Sequence, residues 1–521
     1  MTAKSTVLVV LMLFIRIFAF SQHLTMHRSD DFLREEFIHN QGTGHISMRP
    51  FFVKDYLAFT DSMHQISESS EIYFKQATYT KQTKRSFFRL SPLFVSKSNY
   101  SLSDNNINYA HGVGIGIKAN VNRKFFLDAD LYGLYARLNA SDKHFTDTFH
   151  VFPNFAQNFK RAGEKFLVYE ADFRLTYLPA DYIRFEVGKS RHFWGYGKQS
   201  LFLSDISASM PYFSTTVDVW QLKYRWMILR GNDFDLNNPD FSLSPPKKYF
   251  AIHYLSLNLG TRVNFNFFEA LVTNPYDQKG KKGLDLNYLN PVIFYRPVEF
   301  AAGTYDNALF GLGLNIRLFK KLHLYSQLLI DDMIISELKA GNGWWGNKFG
   351  IQVGGKAYDF LDINNLYVSG ELNFVRPFSY SHTRDNINYS NFRISLAHPE
   401  GSNFGEGLFI IRYKKNNLIY SGGFRLVHKG EDESEVSYGS NILRPYDLRP
   451  DNYNNKLLQG VHTKEYTIDV NAAWLLNPEI DLKLRAGVQY RKKKYPNFSE
   501  GGIQFYISFS TADIFFQNHW F

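Results

Sequence analysis

From about residue 87 onward, apolar and polar positions alternate with a period of two, which is the spacing of β-strands. In 166–177, Leu167, Tyr169, Ala171, Phe173, Leu175 and Tyr177 share one face, and Glu170, Asp172, Arg174 and Thr176 share the other. Near the C-terminus Tyr466, Ile468, Val470, Ala472, Trp474 and Leu476 alternate with Glu465, Thr467, Asp469 and Asn471. The next stretch sets Ile480, Leu482, Leu484, Ala486 and Val488 against Asp481, Lys483, Arg485 and Gln489. A soluble sandwich would bury the apolar face; a transmembrane barrel would turn it to lipid and keep the charged face in a wet interior. One strand cannot separate the two.

Seventeen strands are predicted, near 87–98, 108–121, 124–138, 165–178, 181–189, 215–229, 249–258, 261–272, 308–319, 321–331, 346–356, 365–375, 406–415, 417–428, 464–476, 480–491 and 500–510. Tight connections fall at Asn122-Arg123, Pro179-Ala180, Asn258 to Thr261, Phe319 to Lys321, Asn416-Asn417 and Asn477 to Glu479; long ones span 139–164, 273–307, 376–405 and 429–463. Barrels alternate short periplasmic turns with longer outer loops. With the N-terminus in the periplasm, tight turns must follow even-numbered strands, and the turn at 258–261 follows the seventh. One crossing is therefore missing, and a short strand at 199–205 restores the alternation and makes 18. The expectation is an all-β chain: a transmembrane antiparallel β-barrel of about 18 strands over 86–521, with 511–521 as a tail or strand extension. Residues 22–85 fit the pattern poorly and read as an N-terminal periplasmic segment, with short helices at 31–39 and 56–71, able to enter the barrel mouth.

Composition favours the barrel. Aromatic residues make up 17%, a load that suits β-structure and membrane-interface belts. No apolar run beyond residue 21 approaches the roughly 20 residues of a membrane helix. Lys4, the apolar stretch Val7 to Ile15 and the small residues Ala19 and Ser21 form a secretory signal over 1–21, interrupted by Arg16. Export of an aromatic-rich, many-stranded chain decides for the outer membrane. Cysteine is absent, which excludes disulfides, thiolate metal sites and Cys nucleophiles.

Searches for catalytic chemistry fail. There is no His-Glu-x-x-His, no Gly-x-Ser-x-Gly and no phosphate loop at Gly197-Lys198, and His144 and His150 lack an acidic third ligand at fixed spacing. Gly112, Gly114 and Gly116 lie mid-strand and read as glycines facing a crowded interior. No enzyme activity, metal or cofactor is expected. The net charge of +10 does not call for nucleic acid, because the basic clusters Lys279 to Lys282, Lys414-Lys415 and Arg491 to Lys494 sit at strand ends and loops, where lipid phosphates or acidic glycans are the natural partners.

Three polar-aromatic blocks stand out in the outer connections. The first runs from Gly188 through Arg191, Trp194 and Tyr196 to Ser200 and Asp205; the second holds Arg296 and Glu299 (290–299), with Asp306 and Asn307 following; the third holds Arg376, Tyr380 and His382 (376–382), then His398 (397–401). Such residues could fold loops inward through ion pairs, or bind sugar by stacking rings on pyranose faces while polar groups take the hydroxyls. Loop architecture is the favoured reading, and the two are compatible. Together these blocks resemble the Wzi-type capsule-assembly family of outer-membrane barrels, closest to its gliding-motility RemB branch, over about residue 40 to the end. The resemblance implies an 18-stranded barrel whose outer loops close over the lumen, a non-enzymatic role in surface polysaccharide assembly or attachment, and in this branch surface motility. It implies surface polysaccharide and motility or secretion-apparatus proteins as partners beside outer-membrane lipid. The rival expectation is a porin-like transport channel, since a barrel this wide holds an aqueous pore unless plugged.

Overall fold

The computed structural model describes residues 45–50, 78–83, 85–103, 105–155, 159–232, 246–273, 276–277, 280–281, 286–291, 306–319, 321–477 and 480–511. The expected signal segment, the helices at 31–39 and 56–71, Arg296, Glu299 and the tail beyond Thr511 lie outside these residues.

Eighteen antiparallel strands close into one barrel. They are β1 (Phe87–Ser101), β2 (Asn106–Val121), β3 (Phe125–Arg137), β4 (Lys165–Ala180), β5 (Ile183–Ser190), β6 (Met210–Val219), β7 (Leu222–Asn232), β8 (Lys247–Leu259) and β9 (Val263–Thr273). There follow β10 (Asn307–Leu318), β11 (Leu322–Asp332), β12 (Lys348–Ala357), β13 (Leu366–Val375), β14 (Phe404–Lys415), β15 (Leu418–Glu431), β16 (Val461–Asn477), β17 (Leu482–Lys494) and β18 (Ser499–Ser510). Each strand pairs with the next, and β18 closes on β1 with Gln504 opposite Ser101 and Ser510 opposite Val95.

The two faces of β4 show which way the pattern points. Tyr169 is 50% exposed and Leu167 48%, whereas Asp172 and Arg174 are each 2% exposed. Apolar side chains face out and charged ones face in, the inverse of a soluble sandwich and the arrangement a membrane barrel requires. Gly112 and Gly114 face inward as expected: a Cβ at Gly114 would come within 2.4 Å of Leu131 O and 2.6 Å of Tyr132 Cβ on β3.

The missing crossing lies elsewhere than the parity argument put it. The stretch 215–229 is not one strand but a hairpin, β6 and β7, turning at Trp220-Gln221. Trp220 takes φ 57° and is 89% exposed, with no Gly, Pro or Asn to announce the turn. Residues 199–205 form no wall strand; they belong to the connection 191–209, which runs inside the barrel. Connections after even-numbered strands are mostly tight, and those after odd-numbered strands are mostly long, so the long ones mark the outer pole. The connection 138–164 also contains a helix, α1 (Ala140–Phe149), whose N-cap Asn139 accepts from Asp142 N.

Candidate functional site

Outer loops turn into the lumen, and for three of them one apolar patch explains why. Residues 199–203 and 387–397 are rich in apolar and small polar side chains and meet a patch of inward-facing hydrophobes on β6 to β11. Phe202 stacks on Phe268 of β9 at 4.9 Å, and Trp194 lies 5.1 Å from Tyr254 of β8. Leu201, Leu396, Tyr389 and Ile442 join the same buried cluster, so loops 191–209, 376–403 and 432–460 share one apolar core inside the barrel. Burying this surface is the driving force for closure, at about 25 cal/mol per Å².

Polar groups fix the register. The Tyr380 and Tyr389 hydroxyls donate to Leu201 O and Phe202 O, each at 2.9 Å, tying loop 376–403 to loop 191–209. The Glu371 carboxylate of β13 accepts from Lys198 N at 2.8 Å, Gln199 N at 3.2 Å and Tyr325 OH at 2.7 Å. Gln327 Oε1 accepts from Leu201 N at 2.8 Å, and Gln352 Nε2 donates to Gln199 O at 3.0 Å. The N-terminal segment contributes from within: Met48 and Arg49 pair with Trp194 and Phe193 as a two-stranded ribbon. Ser47 Oγ donates to Asn266 at 3.0 Å, and Arg49 donates to Gly197 O at 3.0 Å. Residues 45–50 thus lie in the lumen.

The residues singled out from sequence separate into two groups. Most are buried loop fasteners. Arg191 donates to Asn154 O and stands over the Phe155 ring, linking two outer loops. Trp194, Ser200 and Tyr380 are fully buried. Tyr196 donates to Asn264 Oδ1 at 2.6 Å, and burial pushes its phenol above the usual tyrosine range. Asn307 donates to Ile387 O at 3.1 Å, Asp306 accepts from Tyr288 OH, and Asp205 is half-buried. His398, with Nδ1 accepting from Glu400 N at 3.2 Å, turns Nε2 to Glu406 at 2.8 Å. Trp194 and Tyr196 consequently present no ring face to a sugar arriving from outside.

Arg376 and His382 belong to the second group, beside an outward cluster that sequence reading did not find. Arg376 Nε donates to Asn347 O at 2.8 Å. The His382 ring packs edge-on to Tyr446 at 5.7 Å; burial, with the charges of Lys348 and Arg384, brings its pKa down to about 4. Tyr446 lies 4.6 Å from Trp345, and the Arg449 guanidinium stands 4.0 Å over the Trp345 ring. Trp344 adjoins at 5.8 Å. Backbone bonds hold the two loops together: Trp345 N to Asn452 O at 2.9 Å, Asn454 N to Asn342 O at 2.9 Å and Asn455 N to Gly343 O at 2.8 Å. Gly343 has φ 69°, and a Cβ there would meet Asn455 N at 2.8 Å, so only glycine permits this junction. The signal in sequence was the Trp344-Trp345 pair bracketed by Gly343 and Gly346; its partners are a hundred residues away. Among the described residues no group of three or more His, Asp or Glu is placed to hold a metal.

No protein-family model matches the chain, and none of the curated proteins matches it. Solved structures do. Wzi of Escherichia coli, described as an outer-membrane protein involved in group 1 capsule assembly and as a carbohydrate-binding β-barrel, matches at 11% identity and a TM-score of 0.55, covering 93% of this chain and 98% of its own. The chain is an outer-membrane β-barrel. OprD of Pseudomonas aeruginosa matches at 9% identity and a TM-score of 0.45 over 81% of this chain and 92% of its own. OpdK of the same organism matches at 11% and 0.43, over 81% and 97%; both are too distant to argue from.

Proposed function

We propose that this barrel is a non-enzymatic outer-membrane anchor that holds surface polysaccharide on its outer loops. The observation that carries the reading is the partly exposed cluster of Trp344, Trp345 and Tyr446 with Arg449, Asp447 and Asn452, raised on a barrel whose own loops fill its interior. Rings beside a planar cation and amide groups suit a sugar chain: the rings take pyranose faces, the polar groups take hydroxyls or carboxylates. The carbohydrate-binding description of Wzi, the solved barrel that shares this fold over nearly the whole chain, supports the same direction. Surface motility, as in the gliding branch, then depends on the retained coat. A transport channel is the weaker reading, because the apolar core of three loops occupies the path a solute would take.

The test is binding of polysaccharide extracted from the cell's own surface to the purified barrel. The double variant Trp345→Ala, Tyr446→Ala removes two rings and about 1.4 kcal/mol or more of stacking, so affinity falls roughly tenfold or further. Heat-modifiable gel mobility checks that the variant barrel is folded. Full affinity in a folded double variant would refute the site.

A further inference from the structure

The run Arg491 to Lys494 divides by the period of two, and the division points to a ligand. Arg491 and Lys493 face the lumen, where Arg491 meets Glu465 at 3.0 Å and Lys493 meets Glu431 at 2.6 Å. Lys492 and Lys494 face outward with Tyr490, as do His428 above Phe424 and His462 and Lys464 above Ile468. Register brings them together: Lys464 lies directly opposite His428 of β15 on one side and Lys494 of β17 on the other. His462 reaches His428 at 3.3 Å, and Lys494 stands over the Tyr466 ring at 5.4 Å. The next residues in these two cross-strand rows are Gly405 and Gly407 on β14 and Ser499 and Gly501 on β18, so neither row carries a carboxylate beside the cluster. Among the described residues none of Lys464, Lys492 and Lys494 has an ion-pair partner. Like charges directly opposite on a sheet are destabilising unless an anion lies between them.

The cluster sits at the outer rim, at the upper edge of the apolar belt. Immediately below on the same strands the outward row is Phe424, Ile468, Tyr490 and Ile503. Below that an apolar groove of about 800 Å³ opens on the outer wall between Ile411, Gly422, Val470, Val488 and Phe505. Six residues separate Lys464 from Val470, about 20 Å along a strand, which is the reach of an acyl chain from its headgroup.

We propose that β15 to β17 form a site for a phosphorylated glycolipid of the outer leaflet, its phosphate bridging His428, Lys464, Lys492 and Lys494 and an acyl chain lying in the groove. Phosphate suits the cluster because each oxygen accepts charge-assisted bonds from more than one ammonium.

The experiment is thermal unfolding of the full barrel in detergent with diphosphorylated lipid A, with the same lipid dephosphorylated, and with inorganic phosphate. Diphosphorylated lipid A raises the wild-type Tm by several degrees, and the other two do not. Lys464→Gln, Lys492→Gln, Lys494→Gln together abolish the difference between the two lipids. Ala472→Trp, which fills the groove, reduces the response while leaving the cations in place. An equal response to the dephosphorylated lipid, an unaltered response in the triple variant, or a full response to inorganic phosphate alone overturns the proposal. Should the triple variant not assemble, the exposed Lys494→Gln alone must still weaken the response.

Discussion

Arg425 shows how single residues sustain the closed barrel. It is fully buried on the lumen face of β15, with Nε donating to Glu406 at 2.5 Å, Nη2 donating to Glu400 at 2.8 Å and Nη1 3.5 Å from Glu465. His398 caps the other oxygen of Glu406. Replacing Arg425 by Leu leaves Glu406 buried with only His398 and Asn373 and takes one cation each from Glu400, which keeps Lys429, and Glu465, which keeps Arg491; breaking a buried network of this kind costs about 3–5 kcal/mol. Arg137→Gln, which removes a half-buried partner of the exposed Glu164 at 3.1 Å, costs about 0–1 kcal/mol. Thermal unfolding of the two variants should therefore separate them clearly; equal shifts would show that the network is dispensable. At this scale the sequence was half legible. Alternation put Arg174, Glu170 and Asp172 on the inward face, where they lie buried, and His398 stood out in its block. The partners of Arg425 come from a loop and two other strands, and no local spacing encodes them.

At the scale of elements, the strands were legible because lipid outside and charge inside impose a strict period of two, while one turn without Gly, Pro or Asn left no mark. Trp220 is the case in point: the β6–β7 hairpin reads as one strand, and the count survived only because parity demanded another crossing. Loops were legible as loops, not as an interior. Residues 199–205 carry an apolar run, Leu201 to Leu203, that packs within the lumen, and an apolar run between polar residues reads as a short wall strand when parity asks for one. These loops carry a pH dependence. His382 has its pKa lowered by burial and by Lys348 and Arg384 to about 4, so the opened loop binds a proton that the closed loop refuses between pH 6.5 and 4. Burial pushes the Glu400 carboxyl up, but Lys429 and Arg425 outweigh burial and hold it below the usual range. Its contribution is present above the ordinary glutamate range and is lost as pH falls from there to the lowered folded value. Both signs agree: acid loosens loop 376–403. The chain has no cysteine, so a fluorophore on Asp451→Cys, an exposed position near Tyr446, reports loop opening cleanly. Its signal should change between pH 6.5 and 4, and His382→Gln should remove part of that change. A transition above pH 7 would contradict the assignment.

For the whole molecule, two patterns on one backbone produce the function. Outward apolar positions set the barrel in lipid; inward ones switch from charged on β4 and β14 to β17 to apolar on β6 to β11, and the apolar half collects the outer loops. The outer pole is then a surface built from loops that close the lumen, and its aromatic cluster is positioned by that closure through the 342–345 and 452–455 junction. Closure is thus the claim on which the rest depends. It is tested most directly by planar-bilayer conductance of the purified barrel, with and without residues 432–460. The full-length barrel should show no steady ion conductance, and removal of 432–460, which takes Ile442 out of the lumen core and releases Ser402 from Gly439, should raise it. A stable, ohmic open channel in the full-length protein would contradict the account and return the molecule to the transport class.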